Sequence, residues 1–294
     1  MDRRGGNEQL VNLVESENSK SKFYLKPELQ EELSRIDRLS KSSPRNIMLI
    51  GPQGCGKTAL FHEFIEMTGR PFIKMPCSVV LDPDEWYGTA EATEGTTTYH
   101  ESEFTKMVET PRAAILLDDY GRSISPKVNN GLIGLLDDTA RAQYIPGLKR
   151  TITVAPEVVF FATFNYGRGG TFVGQDPLDE ALSDRFRVIS MDYPDPDVER
   201  QIAEDAGLEG EEDSRKIVEL FAALRGKGLS LSTRQLIQVA ESRALGATWA
   251  NAFVYTCLFS PGTGASDRVT EILQLLQMET GEGLTEDTNP SSAI

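Results

Sequence analysis

The sequence is poor in cysteine and has no long apolar run. Its three cysteines, Cys55, Cys77 and Cys257, are an odd number without paired spacing, so they indicate neither a disulfide framework nor a zinc site. No run approaches the roughly 18 to 20 apolar residues that are needed to span a bilayer, and the segment Met1–Gly6 lacks the apolar core of a signal peptide. We therefore expect a cytoplasmic protein without membrane insertion.

Basic residues are also in short supply. The chain of 294 residues has 30 lysines and arginines against 45 aspartates and glutamates, which gives a net charge of −15. Because nucleic-acid backbones are bound by clustered basic side chains, this balance argues against general nucleic-acid binding. The simplest interpretation of the excess is a solvated acidic surface.

The most informative segment is rich in glycine. It fills the pattern of a phosphate-binding P-loop, with glycine, four residues, and then glycine-lysine-threonine. Its residues are Gly51, Pro52, Gln53, Gly54, Cys55, Gly56, Lys57 and Thr58. An apolar run at 47–50 predicts a buried strand before the loop, and apolar residues at helical spacing predict a helix after it.

This strand–loop–helix order suits nucleotide phosphates. The glycines let the backbone turn sharply, and the free amides at the start of the helix favour an anion. We predict that the segment, together with Ala59, binds the nucleotide, that Lys57 reaches the outer phosphates and that the Thr58 hydroxyl ligates Mg²⁺. Two interpretations of Cys55 stay open: the loop amides lower the pKa of its thiol and make it oxidisable, or the residue only fills a position that accepts small side chains.

Two carboxylates follow a second buried strand. The run Ala113–Leu117 is wholly apolar and ends in Asp118 and Asp119. Acids at the carboxyl end of a strand beside a P-loop strand are where magnesium and water are handled. We predict that Asp118 holds Mg²⁺ through its water shell and that Asp119 orients the attacking water. The alternative is an acidic turn that ends the strand.

Two further polar side chains are candidates. The apolar run Val158–Phe164 ends at Asn165, whose amide would bond the terminal phosphate and the attacking water, or would only start a turn before Gly167. Ser232 or the next residue caps a helix and puts Arg234 in its first turn. A cation is unfavourable there against the helix dipole, which indicates an anion nearby.

The whole pattern predicts an α/β domain followed by a helical one. We expect a flexible segment at 1–22, the α/β domain at 23–194, the helical domain at 195–280 and a disordered tail at 281–294. Within the α/β domain, periodicity and turn signals predict further helices, strands and hairpins. The helices are Pro27–Ser40, about Glu101–Thr110 and Pro126–Asp138; the strands are Pro71–Met75 and Val188–Met191; the hairpins lie within Cys77–Ser102 and over Gln143–Val154.

These motifs, in this order, resemble those of the AAA+ ATPases. Within that family they resemble the MoxR branch, which includes the CobS subunit of cobaltochelatase and the CbbQ, NorQ and GvpN proteins. The similarity covers roughly residues 45–245 and is carried by Leu117–Arg122, Pro126–Val128, Phe161–Asn165, Asp184–Phe186 and Ser232–Arg234. It implies an α/β fold of the P-loop NTPase (AAA+) type, in which a parallel sheet is flanked by helices and followed by a small all-helical lid.

The resemblance also implies roles for individual residues. Asp118 and Asp119 correspond to the Walker B pair, Asn165 to sensor 1 and Arg234 to sensor 2. Arg185 corresponds to an arginine finger that acts on the nucleotide of the neighbouring subunit. A ring, commonly a hexamer, with ATP and Mg²⁺ at each interface is therefore expected.

Two segments are expected to face the pore or the client in such a ring. The stretch near residues 86–100 matches the insert in helix 2 of the MoxR branch, and the hairpin near Tyr144–Lys149 matches its pre-sensor hairpin. The implied function is ATP hydrolysis that remodels or activates a partner, which in this branch often carries a von Willebrand factor A domain.

One departure from the family concerns Asp119, because the family usually has glutamate there. The shorter side chain leaves slow hydrolysis open. An ATP-dependent assembly scaffold with little turnover is therefore an alternative function, and a nucleic-acid motor is a weaker one.

Overall fold

The structure is a computed structural model. It describes residues 24–41, 45–93, 96–122, 128, 130–165, 184–258, 274–278 and 280–281. The expected flexible segment 1–22, the tail beyond Gly281 and the glycines that follow Asn165 lie outside the described residues. Within the described part of the chain, every helix is too short or too polar to cross a lipid bilayer.

Strands and helices are interspersed up to Ser190, and the described residues after it form only helices and their connections. The described strands are β1 Arg45–Gly51, β2 Phe72–Pro76, β3 Gly88–Thr93, β4 Thr96–Glu101, β5 Ala114–Asp118, β6 Ala142–Ile145, β7 Arg150–Thr153, β8 Val159–Asn165 and β9 Arg187–Ser190. The described α-helices are α1 Pro27–Ser40, α2 Lys57–Thr68, α3 Glu103–Val108, α4 Pro196–Asp205, α5 Glu211–Gly226, α6 Thr233–Ala244 and α7 Trp249–Phe253.

Five strands form one parallel sheet in the order β2-β5-β8-β1-β9. Helices cover both faces, so the central strands β5 and β8 are buried and largely apolar, as the sequence predicts. Alternate side chains point to opposite faces: Leu116 and Phe161 pack with α1 and α2, whereas Ile115 and Phe160 pack on the side of α3. The predicted α/β fold with a parallel sheet is confirmed.

The register of the sheet decides what meets at its carboxyl edge. Gly51, where the P-loop begins, lies opposite Asn165 at the end of β8. On the other side of β8, Pro76 at the end of β2 lies opposite Asp118 at the end of β5. Several strand ends therefore point their last residues toward one edge.

Two antiparallel hairpins project from the α/β domain, β3–β4 and β6–β7. They are joined by Arg150, whose guanidinium binds the carboxylates of Glu101 and Glu109. They also touch at Gly147, where a Cβ would lie 2.3 Å from the ring of Tyr99. The hairpins therefore form one connected unit.

The prediction of a continuous helix over Pro126–Asp138 is wrong from Gly131 onward, whereas the described residues 128 and 130 before it are helical. From Gly131 onward the chain forms consecutive turns, and the N–H of Leu135 donates to the carbonyl three residues before it at 3.0 Å. Glycine is a poor helix former, and here it permits close packing: a Cβ at Gly134 would lie 2.2 Å from Oε1 of Gln143. The turns still bury the apolar side chains that suggested a helix.

The helices after β9 have their own apolar core, which includes Phe221, Leu236 and Trp249. Helix α6 begins with a capping box in which the Ser232 and Gln235 side chains bond each other's backbone N–H. A buried ion pair joins Arg225 on α5 to Glu199 on α4 at 2.8 Å. Removing one partner of such a pair leaves a buried charge without compensation, so this contact holds the two helices together.

Candidate functional site

The P-loop connects β1 to α2 through two residues with left-handed backbone. The φ angles are 75° at Gly54 and 102° at Gly56, which glycine adopts without steric cost. A Cβ at Gly54 would lie 2.4 Å from Cβ of Ser232, and the N–H of Thr233 donates to the Gly54 carbonyl at 3.3 Å. The loop therefore contacts both the sheet and the start of α6.

Lys57 is folded back onto the loop that precedes it. Its ammonium donates to the carbonyls of Gly51 at 3.0 Å and Pro52 at 2.8 Å, and it lies 3.9 Å from the sulfur of Cys55. Only 6% of the residue is exposed. Burial lowers the pKa of Lys57, and the nearby Asp119 and Asp118 act in the opposite direction. The ammonium is therefore a buried cation that contacts loop carbonyls, and it can bind an anion in their place.

Asp118 is the most connected side chain of the site. Its Oδ1 accepts from the hydroxyls of Thr163 at 2.8 Å and Thr58 at 3.4 Å, and its Oδ2 contacts the Lys74 ammonium at 2.7 Å. Burial acts to raise the pKa of Asp118, but the bonds from Lys74 and Thr163 outweigh it, and the pKa lies below its usual value. The carboxylate is therefore charged at neutral pH.

Asp119 has a left-handed backbone, with a φ of 53°, which aspartate tolerates better than most residues. Its N–H donates to the Thr163 hydroxyl at 2.8 Å, and its Oδ1 accepts from the side-chain amide of Asn165 at 2.7 Å. Arg122 lies 3.8 Å from Oδ2. The two acids are thus oriented by the strand β8 beside them.

These side chains line one cavity of about 460 Å³, a volume within the range of ligand sites. The predicted site residues that line it are Gln53, Gly54, Cys55, Gly56, Lys57, Thr58, Ala59, Asp118, Asp119, Asn165 and Arg234. Gly51 and Pro52 lie directly behind it as partners of Lys57. Of the predicted site residues, only Arg185 lies elsewhere.

The cavity is also lined by mostly apolar residues that the sequence did not single out. They are Tyr24, Pro194, Val198, Ile202 and Ile237. The hydroxyl of Tyr24 donates to Asp205 at 2.8 Å, which joins the segment before α1 to the end of α4. A lining of charged and apolar side chains suits a ligand that has a phosphate chain and an apolar group.

Comparison with known proteins decides which family uses this site. Residues 46–186 match the family model described as AAA domain (dynein-related subfamily). Over 283 residues the chain is 31% identical to the putative chaperone BssE of Thauera aromatica, and the match covers 95% of each protein. This chain belongs to the AAA+ ATPases.

Other similarities are weaker. An uncharacterized protein of Staphylococcus aureus is 30% identical over 185 residues, which are 62% of this ATPase and 68% of that protein. A mutant of RuvB from Thermotoga maritima has a TM-score of 0.53 at 15% identity, over 91% of this chain and 76% of that one. Identity this low shows a shared fold alone. Nucleotide binding together with a divalent metal is what membership of the family implies.

Arg185 of this ATPase lies at the opposite edge of the sheet from the P-loop. Its carbonyl accepts from the amide of Asn46 at 3.0 Å, near the start of β1, and its guanidinium lies 3.7 Å from the carboxylate of Asp137. Asn46 and Gly51 are separated by the length of β1, about 16 Å at 3.3 Å per residue. The Arg185 side chain is 25% exposed. It does not reach the P-loop of its own chain.

Two polar residues of the site are not predicted by any sequence motif. Lys74 is the one charged residue of β2, and its position two residues before the strand end places it on the same sheet edge as Asp118. Thr163 is a single hydroxyl in an otherwise apolar strand and is 1% exposed. In each case a polar side chain inside an apolar run was the available signal.

The environment of Cys55 favours one of the two interpretations. The residue is 4% exposed, and burial raises the pKa of its thiol despite the nearby Lys57. A raised pKa disfavours the reactive thiolate. Cys55 is therefore a small buried side chain behind the loop, not an activated thiol.

Proposed function

We propose that this AAA+ ATPase hydrolyses ATP with Mg²⁺ and belongs to the MoxR branch, in which rings remodel or activate a partner protein. One observation carries the proposal: the P-loop, the acids after β5, Asn165 after β8 and Arg234 on α6 all line one cavity. These segments are far apart in the sequence, and each supplies a group that phosphoryl transfer needs.

The residues present fit a magnesium ion. Thr58 Oγ1 and Asp118 Oδ1 lie 3.4 Å apart, and hydroxyl and carboxylate oxygens are the ligands that Mg²⁺ prefers. We assign these two residues to the ion. When bound, Mg²⁺ would neutralise charge that develops on the phosphates.

The other roles follow from the hydrogen bonds of the site. The ammonium of Lys57 leaves the P-loop carbonyls that it contacts and binds the outer phosphates of ATP, beside the amides at the start of α2. Asp119 is the base for the attacking water, and Asn165, already bonded to Asp119 at 2.7 Å, orients that water. Arg234 binds the phosphates from α6, on the side of the cavity that the helical region forms.

Catalysis across a subunit interface accounts for Arg185. The residue is partly exposed at the sheet edge opposite to the P-loop, so it serves as an arginine finger only toward a neighbouring copy. A closed ring, of which a hexamer is the common form in this family, provides that neighbour at every site.

The helical region, residues 195–280, acts as a lid on the α/β domain, residues 23–194. Arg225 of α5 stacks on the ring of Tyr193 with 3.9 Å between guanidinium carbon and ring centre, and the Tyr193 hydroxyl donates to Gln53 of the P-loop at 3.4 Å. These two contacts of Tyr193, together with the contact between Gly54 and Thr233, couple the nucleotide state of the P-loop to the position of the lid.

A protein client is the favoured partner. The relative that matches over nearly the full chain is named a putative chaperone, and the connected hairpins β3–β4 and β6–β7 offer exposed side chains such as Tyr144, which is 59% exposed. A partner with a von Willebrand factor A domain is the form expected in the MoxR branch.

Phosphate release from ATP by the purified chain tests the proposal. Lys57→Ala is expected to abolish nucleotide binding, and Asp119→Asn is expected to retain ATP binding while lowering turnover at least about a hundredfold, since it removes the base. Lys149→Ala, on the exposed β6–β7 turn, is the control for loss of a lysine. Nucleotide binding unaffected by Lys57→Ala would contradict the proposed site.

The scaffold alternative draws on Asp119, which is shorter than the usual glutamate. It predicts ATP-dependent assembly with negligible phosphate release, with and without candidate partners. Stimulation of turnover by DNA would instead favour a nucleic-acid motor, for which the net charge of −15 gives no support.

A further inference from the structure

The carboxylate that we assign to Mg²⁺, Asp118, forms an ion pair with a lysine of the protein itself. The Lys74 ammonium lies 2.7 Å from Asp118 Oδ2, while Oδ1 of the same carboxylate accepts from Thr163 and faces Thr58. Lys74 lines the same cavity as the P-loop. The position of this lysine in β2 is thus fixed by the strand pairing that brings β2 beside β5.

The fold has little need of this ion pair. The Lys74 side chain is 43% exposed, and half-exposed ion pairs contribute little to stability because water screens them and ordering a long side chain costs entropy. Its neighbours along β2, Ile73 and Met75, supply the packing against the core. The significance of the contact therefore lies in what it does to Asp118.

From this geometry we infer that Lys74 is a built-in counter-ion of Asp118 that competes with Mg²⁺ and sets the metal concentration at which the site binds nucleotide. The inference rests on the proposed function. Without metal, the ammonium neutralises the charge of the carboxylate. With metal, the ammonium on Oδ2 and Mg²⁺ beside Oδ1 repel each other, so each cation weakens the binding of the other to Asp118.

The competition has a direct consequence for affinity. The repulsion between Lys74 and Mg²⁺ opposes metal binding, so removing the lysine should make metal binding tighter. For a pair of this exposure the expected gain is about two- to fivefold in affinity. A contact between Lys74 and the terminal phosphate of ATP would have the opposite effect on nucleotide affinity.

Binding of a fluorescent ADP analogue, titrated with Mg²⁺ at fixed nucleotide concentration, tests the inference without relying on turnover. ADP is the chosen probe because it lacks the terminal phosphate that a displaced ammonium could contact. Lys74→Met and Lys74→Gln should each lower the half-saturating Mg²⁺ concentration about two- to fivefold. Lys74→Arg should resemble the wild type because it keeps the competing charge.

Lys106 offers a matched control. It also forms an ion pair with a carboxylate, Glu103, at 2.6 Å, and its side chain is 55% exposed. Lys106→Met should leave the Mg²⁺ titration unchanged. Circular dichroism of each variant checks that the fold is kept.

The outcomes separate the inference from the proposed function. If the wild type binds the ADP analogue with Mg²⁺ but Lys74→Met and Lys74→Gln leave the half-saturating concentration unchanged or raise it, the inference is wrong and the proposed function stands. If the wild type shows no Mg²⁺-dependent nucleotide binding, both are overturned.

Discussion

Thr163 joins the two acids of the site through one hydroxyl group. It donates to Asp118 at 2.8 Å and accepts from the N–H of Asp119 at 2.8 Å. Because the residue is buried, neither bond can be replaced by water without rearrangement. The geometry of both carboxylates therefore depends on a side chain that takes no part in the proposed chemistry.

Thr163→Val tests this dependence, since valine has the same shape without the hydroxyl. Losing the partner of the part-buried Asp119 N–H costs about 1 kcal/mol, so the variant should unfold at lower denaturant concentration. Its turnover should fall on the order of tenfold because the acids lose their orientation. Thr98→Val, at an exposed position of β4, is the control, and equal behaviour of the two variants would refute the role of Thr163.

Asp119→Glu tests whether the short acid limits catalysis. If reach is limiting, the longer side chain should raise kcat several-fold with KM unchanged, because only the step that involves the attacking water improves. Steady-state phosphate release over a range of ATP concentrations is the measurement, because it gives both kcat and KM. Unchanged or lower turnover would show that the aspartate is not the limiting feature.

The residues of the site differ in how far the sequence could predict them. Lys57, Thr58 and the acids after β5 belong to motifs whose spacing has a direct physical reason. Lys74 and Thr163 act through tertiary contacts that depend on the pairing of β2 with β5 and of β5 with β8. Neither strand pairing can be predicted from the sequences of these short strands alone.

At the scale of elements, the P-loop and α6 are held together by a close approach at Gly54. The residue has a φ of 75°, and a Cβ added to it would lie 2.4 Å from Ser232 Cβ. A larger side chain would therefore have two separate effects, since the φ angle would strain the loop and the close contact would push α6 away. A second glycine variant, outside the site, controls for the cost of backbone strain in general.

Gly54→Ala and Gly228→Ala are these two variants. Gly228 has a φ of 93° but nothing within 4 Å of its Cβ position, so both variants carry backbone strain of about 1–2 kcal/mol. Only Gly54→Ala should lose nucleotide affinity, by more than about tenfold, because it displaces the start of α6 and with it Arg234. Equal nucleotide affinity of the two variants, measured by calorimetric titration, would contradict the coupling of loop and lid.

Elements with a strong periodic pattern were predictable, and one with a mixed pattern was not. The strands β1, β5 and β8 and the helix α1 appear where apolar runs and helical spacing predict them. The stretch at 126–138 has helical spacing too, but its glycines at 131 and 134 pack against other segments. Such tertiary packing overrides a local pattern, and only the structure reveals it.

At the scale of the whole molecule, the groups that we propose to be catalytic lie on two opposite edges of one sheet. The cavity with Lys57 and Asp118 lies at the carboxyl edge, and Arg185 lies near the amino edge, beside Asn46 and Asp137. The resemblance to AAA+ proteins, which rests on sequence motifs alone, implies the same separation between the nucleotide site and the arginine finger. The fold agrees with it, whereas the ring that it requires is a proposal.

Mixing two inactive variants is the most direct measurement of the central claim. Arg185→Ala should bind ATP but lose turnover by about 10³- to 10⁵-fold, the usual contribution of an arginine finger, and Lys57→Ala should bind no nucleotide. In an equal mixture, about a quarter of the interfaces combine an intact P-loop with an intact Arg185 if copies mix at random in a closed ring. The account predicts phosphate release at about a quarter of the wild-type rate. No recovery at any mixing ratio, in rings shown to contain both variants, would contradict it.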